Sequence, residues 1–230
     1  MDKYRFTSDW FSNNISRWEK HVVPYLKAQS QKGPIKCLEV GVFEGRSAFW
    51  TLENAGLLDN PESQIWLVDT WKRRSVKSAK PCWVNFLSNL RAFKRANPTI
   101  PDNKIMVCRG NIPDTLRDPK LLAERFDFVY LDINGDSRDL METAALVWPL
   151  IKPGGMIVFD DYTSNREHDG ACSKQGIDAF LDLYSHQLKV KHMSWQVMAV
   201  KRFRFLPRPH KCYSEFYEDE HIQKGEIPKH

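Results

Sequence analysis

Five short apolar runs, separated by stretches of helical periodicity, constrain this chain more than any other feature. They are "IKCLEV" (35–40), "QIWLVD" (64–69), "KIMVCR" (104–109), "FDFVYLD" (126–132) and "GMIVFDD" (155–161). Each is apolar almost throughout, as a strand covered on both faces must be. Helix candidates fill the gaps at Arg46 to Ala55, Trp83 to Ala96 and Ser137 to Trp148, and in the second of these Trp83, Phe86, Leu87, Leu90 and Phe93 recur at helical spacing. Strand, helix, strand in this rhythm predicts an α/β fold built on a parallel sheet with right-handed crossovers. After a last helix, "QGIDAFLDLYSHQ", the runs "LKVKHM" and "QVMAVKRF" are separated only by Ser194 and Trp195. So short a link permits an antiparallel hairpin and forbids a parallel crossover.

The flanks are different in kind. "SDWFSNNISRWEKHVVPYLKAQ" reads as one or two helices that pack Trp10, Phe11 and Trp18 against the body. From Phe205 onward periodicity is lost and Pro mixes with charge, as in an appended tail. The expected organisation is a helical segment over 1–30, a single α/β domain over 31–204 and a tail over 205–230, a division that the 230-residue length allows. No stretch has the length and apolarity of a membrane span or the form of a secretory leader, so a soluble, cytoplasmic protein with no membrane partner is expected. Cys37, Cys82, Cys108, Cys172 and Cys212 are odd in number and scattered, which argues for free thiols over a disulfide framework or a zinc site.

In a parallel sheet the strands share a carboxyl edge, and ligands bind in the crevice beyond it. Glu39, Asp69, Asp132 and Asp160 each fall where a strand ends. Any one of them could be a helix cap; four on one edge suggest a site. Within "LEVGVFEGRS", Gly41 and Gly45 let the backbone turn tightly and come close to a ligand, ahead of a helix that starts near Arg46. Asp69, at the end of the second run, is placed to accept the hydroxyls of a ribose. Turn and acid together suggest an adenosine-containing cofactor, either a dinucleotide such as NAD or S-adenosylmethionine. Glu39 stands where the dinucleotide fingerprint has its first glycine, and a carboxylate there repels a pyrophosphate but suits a sulfonium or ammonium group.

A sheet that is parallel until one reversed strand near its end resembles the class I S-adenosylmethionine-dependent methyltransferases, with seven strands and helices on both faces of a Rossmann-like core. The closest resemblance is to small-molecule O-methyltransferases of the macrocin type. It runs from about Asp9 to Phe203 on "LEVGVFEGRS", "LVDTW", "FDFVYLD", "WPLIKPGGMIVFDDY" and "GIDAFLDLY". It implies that Glu39, Gly41, Phe43, Gly45 and Ser47 line the methionine end of the cofactor, Asp69 its ribose, and Gly110 and Asn111 its adenine, with Asp132 also beside the cofactor. It further implies a divalent cation, magnesium, on Asp132, Asp160 and Asp161, where it would grip the acceptor oxygen. Lys152, Pro153, Gly154 and Gly155 read instead as a turn into the fifth strand.

The chain departs from the family in one place: it reads "DING" where the family often has Asp-Gly-Ser-His, so Gly135 replaces a His. His168 or Lys174, in the loop "TSNREHDGACSKQ" after the fifth strand, are the substitutes for a proton acceptor, beside Asp132 and Asp160 as catalytic candidates. Three readings follow: a metal-assisted O-methyltransferase, a metal-independent methyltransferase that could include RNA among its substrates, and a binding protein that keeps the fold without the chemistry. From Lys72 to Lys104 the chain holds nine basic residues against one acid, Asp102. If that run is functional the acceptor or a partner is anionic, a phosphorylated sugar or an RNA end, with a small molecule preferred over nucleic acid because aromatic residues are few there. The resemblance and the apolar N-terminal helices also allow a homodimer.

Overall fold

The computed structural model describes residues 3–72, 82–133, 136–163 and 173–204. Seven strands form one sheet: β1 (Lys36–Val40), β2 (Gln64–Asp69), β3 (Ile105–Arg109), β4 (Phe126–Leu131), β5 (Ile151–Phe159), β6 (Leu188–Met193) and β7 (Val197–Lys201). Their order is β3-β2-β1-β4-β5-β7-β6. β1 to β5 run parallel, and β7 is antiparallel to both of its neighbours. The expected mostly parallel sheet with one reversed strand is therefore the observed one. Because the chain steps outward from β1 to β2 and β3 and then returns to β4 on the other side, a crevice opens beyond the carboxyl ends of β1 and β4.

Among the described residues seven α-helices pack around the sheet: α1 (Ile15–Ser30), α2 (Arg46–Asn54), α3 (Cys82–Ala96), α4 (Ile112–Leu116), α5 (Pro119–Leu122), α6 (Ser137–Val147) and α7 (Ser173–Leu183). Strand residues alternate between two cores, as the two-residue repeat of a strand requires. Cys37, Leu67, Phe128 and Tyr130 face α1, α2 and α3, where Trp18, Val22, Leu26, Phe49, Phe86 and Phe93 are buried. Leu38, Val40, Val129, Leu131 and Phe159 face the opposite layer, with Leu116, Leu140, Val147, Ile177 and Phe180.

Lys152 to Gly155 do not form a separate turn; they lie inside β5. A register shift between Phe126 and Phe128 absorbs them, with Gly154 at φ +82°. Turn-forming residues here make a bulged strand entry, which lets Phe126 and Ile151 pair before the regular ladder begins. The tail from Phe205 lies outside the described residues.

The segment before α1 is tied down by polar groups. Buried Glu44 accepts hydrogen bonds from Thr7 N–H (2.6 Å) and Thr7 Oγ (2.7 Å). Asn89 of α3 exchanges two bonds with the Arg5 backbone, accepting at 2.9 Å and donating at 3.1 Å. This strap carries Trp10 and the start of α1 across the carboxyl edge of the sheet, where Trp10 packs on Phe43 with ring centroids 4.9 Å apart. No described helix is long and apolar enough to cross a membrane. Cys37, Cys82 and Cys108 are free thiols.

Candidate active site

A cavity of about 930 Å³ opens at the carboxyl edge, within the size range of sites for small organic ligands. Its floor begins with the turn after β1. Gly41 (φ +91°), Phe43 (φ +52°) and Gly45 (φ +86°) are all left-handed. Only glycine fits at the first position, because a Cβ on Gly41 would stand 1.8 Å from the Asp132 carbonyl oxygen. Phe43 is a large residue in a conformation that costs energy, which the surroundings must hold in place.

Asp69 does much of that holding. Its Oδ2 accepts from the backbone N–H of Val42 and of Phe43, both at 2.8 Å, and its Oδ1 accepts from Trp71 N–H at 2.6 Å. Trp71 in turn donates its indole N–H to the Phe43 carbonyl at 2.7 Å. Asp69 thus clamps the turn that it was expected to complement, while also lining the cavity.

Glu39 lies below the turn and does not line the cavity. It is 2% exposed and accepts a 2.5 Å hydrogen bond from Ser47 Oγ. Burial pushes its carboxyl up to about 8, with a further push from Asp69 that the Ser47 bond opposes. Gly45, Ser47 and Gly110 also stand back from the cavity wall, whereas Gly41, Phe43, Asp69 and Asn111 are on it. Asn111 caps α4 by accepting from Asp114 N–H at 3.3 Å.

Beside the turn stand the carboxylates that follow β4 and β5. Asp132, Asp160 and Asp161 all line the cavity. Asp160 is held on both oxygens: Tyr130 OH donates to Oδ2 at 2.6 Å, while Gln196 Nε2 (3.0 Å) and the Asp161 N–H (2.9 Å) donate to Oδ1. Gln196 is itself fixed by the Trp18 indole N–H, which donates to its Oε1 at 2.9 Å. A chain of hydrogen bonds therefore links α1 to the carboxylate at the end of β5. Among the described residues the Asp132 carboxylate has only a long contact of 3.4 Å from Tyr130. Its carboxyl is pushed well above the usual range by desolvation, then by Asp160, Asp161 and Glu39. The Asp160 carboxyl is also raised, chiefly by burial, with its three donors pulling the other way. Asp161 has the third left-handed non-glycine backbone of the sheet edge, φ +57°, beside Phe43 and Trp71.

These three carboxylates are hard oxygen donors whose mutual repulsion a cation would relieve, so their chemistry fits magnesium. Among the described residues no group of three or more His, Cys, Asp or Glu side chains is already arranged to hold a metal. Lys174 does not line the cavity; its ammonium pairs with Asp178 and lies over the Tyr162 ring at 5.0 Å. The Asp178 and Tyr162 contacts raise its pKa, which makes it a poor proton acceptor. His168 and Gly135 lie outside the described residues.

Of the basic run, Lys104 is buried, stands off the cavity lining and donates to the carbonyls of Leu57 (2.9 Å) and Asn60 (2.5 Å), a structural role. Arg73, Arg74, Lys77 and Lys80 lie outside the described residues. Sequence reading missed the residues that the N-terminal segment and the β6–β7 turn bring to the cavity: Trp10, Asn13, Asn14, Arg17 and Trp195. Tyr130 and Gln196 were missed as well, although a buried tyrosine two residues before Asp132 was a usable signal.

Comparison with known proteins places this geometry. The profile of a family described as a methyltransferase domain matches residues 38–162, more than half of the chain. The chain belongs to this methyltransferase family, and its fold is the class I, Rossmann-like one. Among solved structures, CalS11, a TDP-rhamnose 3'-O-methyltransferase of calicheamicin biosynthesis, is 15% identical with a TM-score of 0.57, over 84% of this chain and 81% of that one. An O-methyltransferase from Bacillus cereus, solved with S-adenosylhomocysteine, is 18% identical with a TM-score of 0.55, over 77% and 79%. TomG from Streptomyces achromogenes, an O-methyltransferase of tomaymycin synthesis solved with S-adenosylmethionine, is 19% identical with a TM-score of 0.52, over 78% of each chain. No curated protein sequence matches the chain.

Proposed function

We propose that this protein transfers a methyl group from S-adenosylmethionine to a hydroxyl of a small acceptor. The observation that carries the reading is the junction of two features in one cavity: the Asp69-clamped glycine turn and the carboxylates after β4 and β5. The turn and Asn111 provide a wall against which an adenosine and its methionine tail can lie. Bound structures of TomG with S-adenosylmethionine and of the Bacillus cereus enzyme with its demethylated product support that choice of cofactor.

Methyl transfer is an in-line displacement: the acceptor oxygen attacks the methyl carbon, the carbon–sulfur bond breaks toward sulfur, and the acceptor proton must leave. Asp132 is the chain's proton acceptor in this reading. It stands in the cavity with only the long Tyr130 contact on its carboxylate among the described residues, whereas Asp160 is tied by three donors. Tyr130, between the two carboxylates, orients Asp160 and leaves Asp132 to the acceptor. A magnesium ion would be held by Asp132, Asp160 and Asp161, and when bound it would lower the pKa of the acceptor hydroxyl. Acceptors named for relatives, such as the TDP-rhamnose of CalS11, favour a small molecule over a nucleic acid.

Calorimetric titration tests the root of this reading: S-adenosylmethionine and S-adenosylhomocysteine should bind saturably, and NAD should not. Binding of NAD alone would overturn it. With a turnover assay in hand, EDTA separates the two forms of the mechanism. Loss of transfer with cofactor binding intact, restored by magnesium, supports the metal-assisted form; full activity in EDTA leaves Asp132 to act alone.

A further inference from the structure

Arg17, one turn into α1, is half-buried in the cavity wall. Six aspartates line the same cavity, yet Arg17 forms no ion pair among the described residues. Its only hydrogen bond there goes from Nη1 to Asn14 Oδ1 at 2.7 Å. Three of the aspartates are engaged elsewhere: Asp9 pairs with Arg46 at 2.8 Å, Asp69 clamps the turn, and Asp160 is fixed by three donors. A guanidinium has five N–H donors in a rigid fork that matches an oxyanion, and leaving it unpaired in a partly desolvated cavity is costly. Lys20, the next cation along α1, lies outside the cavity lining, so Arg17 is the cation that the described lining presents. Trp10 and Trp195, 46% and 43% exposed, line the cavity on either side of the α1 start in the sequence and offer faces for a ring.

We propose that the methyl acceptor carries an oxyanion, a phosphate or a carboxylate, and that Arg17 is the residue that binds it. This rests on the methyltransferase reading and moves acceptor recognition from the basic run after β2 to the N-terminal helix. The Arg17 guanidinium then complements the carboxylates at the ends of β4 and β5. The acceptor anion is drawn to one, while the cationic sulfonium and the departing proton are stabilised by the other.

The test uses the full chain loaded with S-adenosylhomocysteine, with inorganic phosphate and benzoate as separate probes and sodium chloride at matched ionic strength as the control. Binding is read from tryptophan fluorescence and from thermal stabilisation. Wild type should bind at least one probe saturably in the low millimolar range, and the stronger of the two identifies the anion. Arg17→Gln should weaken that binding by at least about tenfold while keeping its affinity for S-adenosylhomocysteine, as loss of a charge-assisted bidentate contact predicts. Arg17→Lys should recover part of the loss, and Arg73→Ala with Arg74→Ala should change nothing. Equal binding by Arg17→Gln and wild type, or no saturable binding by wild type, would overturn the proposal, as would loss of S-adenosylhomocysteine affinity in Arg17→Gln, because Arg17 would then serve the cofactor. Failure of wild type to bind S-adenosylhomocysteine at all would instead overturn the methyltransferase reading beneath it.

Discussion

Glu39 can be tested without knowing the acceptor. Its carboxyl is buried and shifted from an ordinary 4.5 to about 8, because water that would solvate the anion is excluded. The unfolded chain releases this proton at the ordinary value. Between pH 4.5 and about 8 the folded chain therefore retains a proton that the unfolded chain has lost. The stability due to neutral Glu39 is complete below that window, declines as pH rises through it, and is gone above it. Each pH unit within the window costs ~1.4 kcal/mol, so the full effect is roughly 4–5 kcal/mol as an upper limit. Glu39→Gln installs a neutral group of the same shape that can still accept from Ser47 and has no proton to lose. Urea denaturation followed by circular dichroism, from about pH 5 to about pH 9, should find variant and wild type within ~1 kcal/mol at the acid end. The variant should then gain steadily, by several kcal/mol at the alkaline end. Parallel curves would refute the neutral, buried carboxyl. Saturating S-adenosylmethionine adds a second readout: a cation nearby favours ionised Glu39, so binding near neutral pH should release more proton from wild type than from Glu39→Gln.

Two further substitutions separate structure from chemistry. Asp69→Ala strands the N–H groups of Val42, Phe43 and Trp71; it should cost roughly 2–4 kcal/mol in urea denaturation and also weaken cofactor binding sharply, whereas affinity lost at unchanged stability would mean that the clamp is unimportant. Lys104→Met leaves two buried carbonyls without a donor; it should lower stability by roughly 1–3 kcal/mol and leave the acceptor KM unchanged, and a raised KM would return Lys104 to acceptor recognition.

The sheet was legible because a strand buried on both faces leaves no room for polar residues, so each run announced itself, and the two-residue link at Ser194 and Trp195 fixed the one reversed strand. The glycine turn was legible for a related reason: φ values near +90° at Gly41 and Gly45 demand a residue without a Cβ. The partners of the acids were not legible. An aspartate at the end of a strand looks the same whether it accepts from a ribose or from three backbone N–H groups, and Asp69 turned out to do at least the second. The Asp160 network was hidden by distance along the chain, since Trp18 and Gln196 are 178 residues apart. Pro153-Gly154-Gly155 misled because residues that suit a turn also suit a bulge, and only the pairing of β4 with β5 decides between them.

The limits of the family match carry information of their own. The matched span, 38–162, contains Gly41, Phe43, Asp69, Asn111, Asp132, Asp160 and Asp161. Trp10, Asn13, Asn14, Arg17 and Trp195 line the same cavity from outside that span. A cofactor's fixed shape can be met by one arrangement of turn and strand ends; acceptors differ and need walls that can be changed without disturbing it. Under the proposed reading those walls are an N-terminal strap held by Glu44 and Asn89 and a hairpin turn at the far end of the sheet. The two regions are not independent of the chemistry, because Trp18 and Gln196 join them to each other and to Asp160. An acceptor seated against α1 would therefore press on the same hydrogen-bonded chain that orients the carboxylate at the end of β5. Rigid contact of this kind favours coupling of acceptor fit to carboxylate position, so that substitutions at Gln196 should disturb turnover more than cofactor affinity.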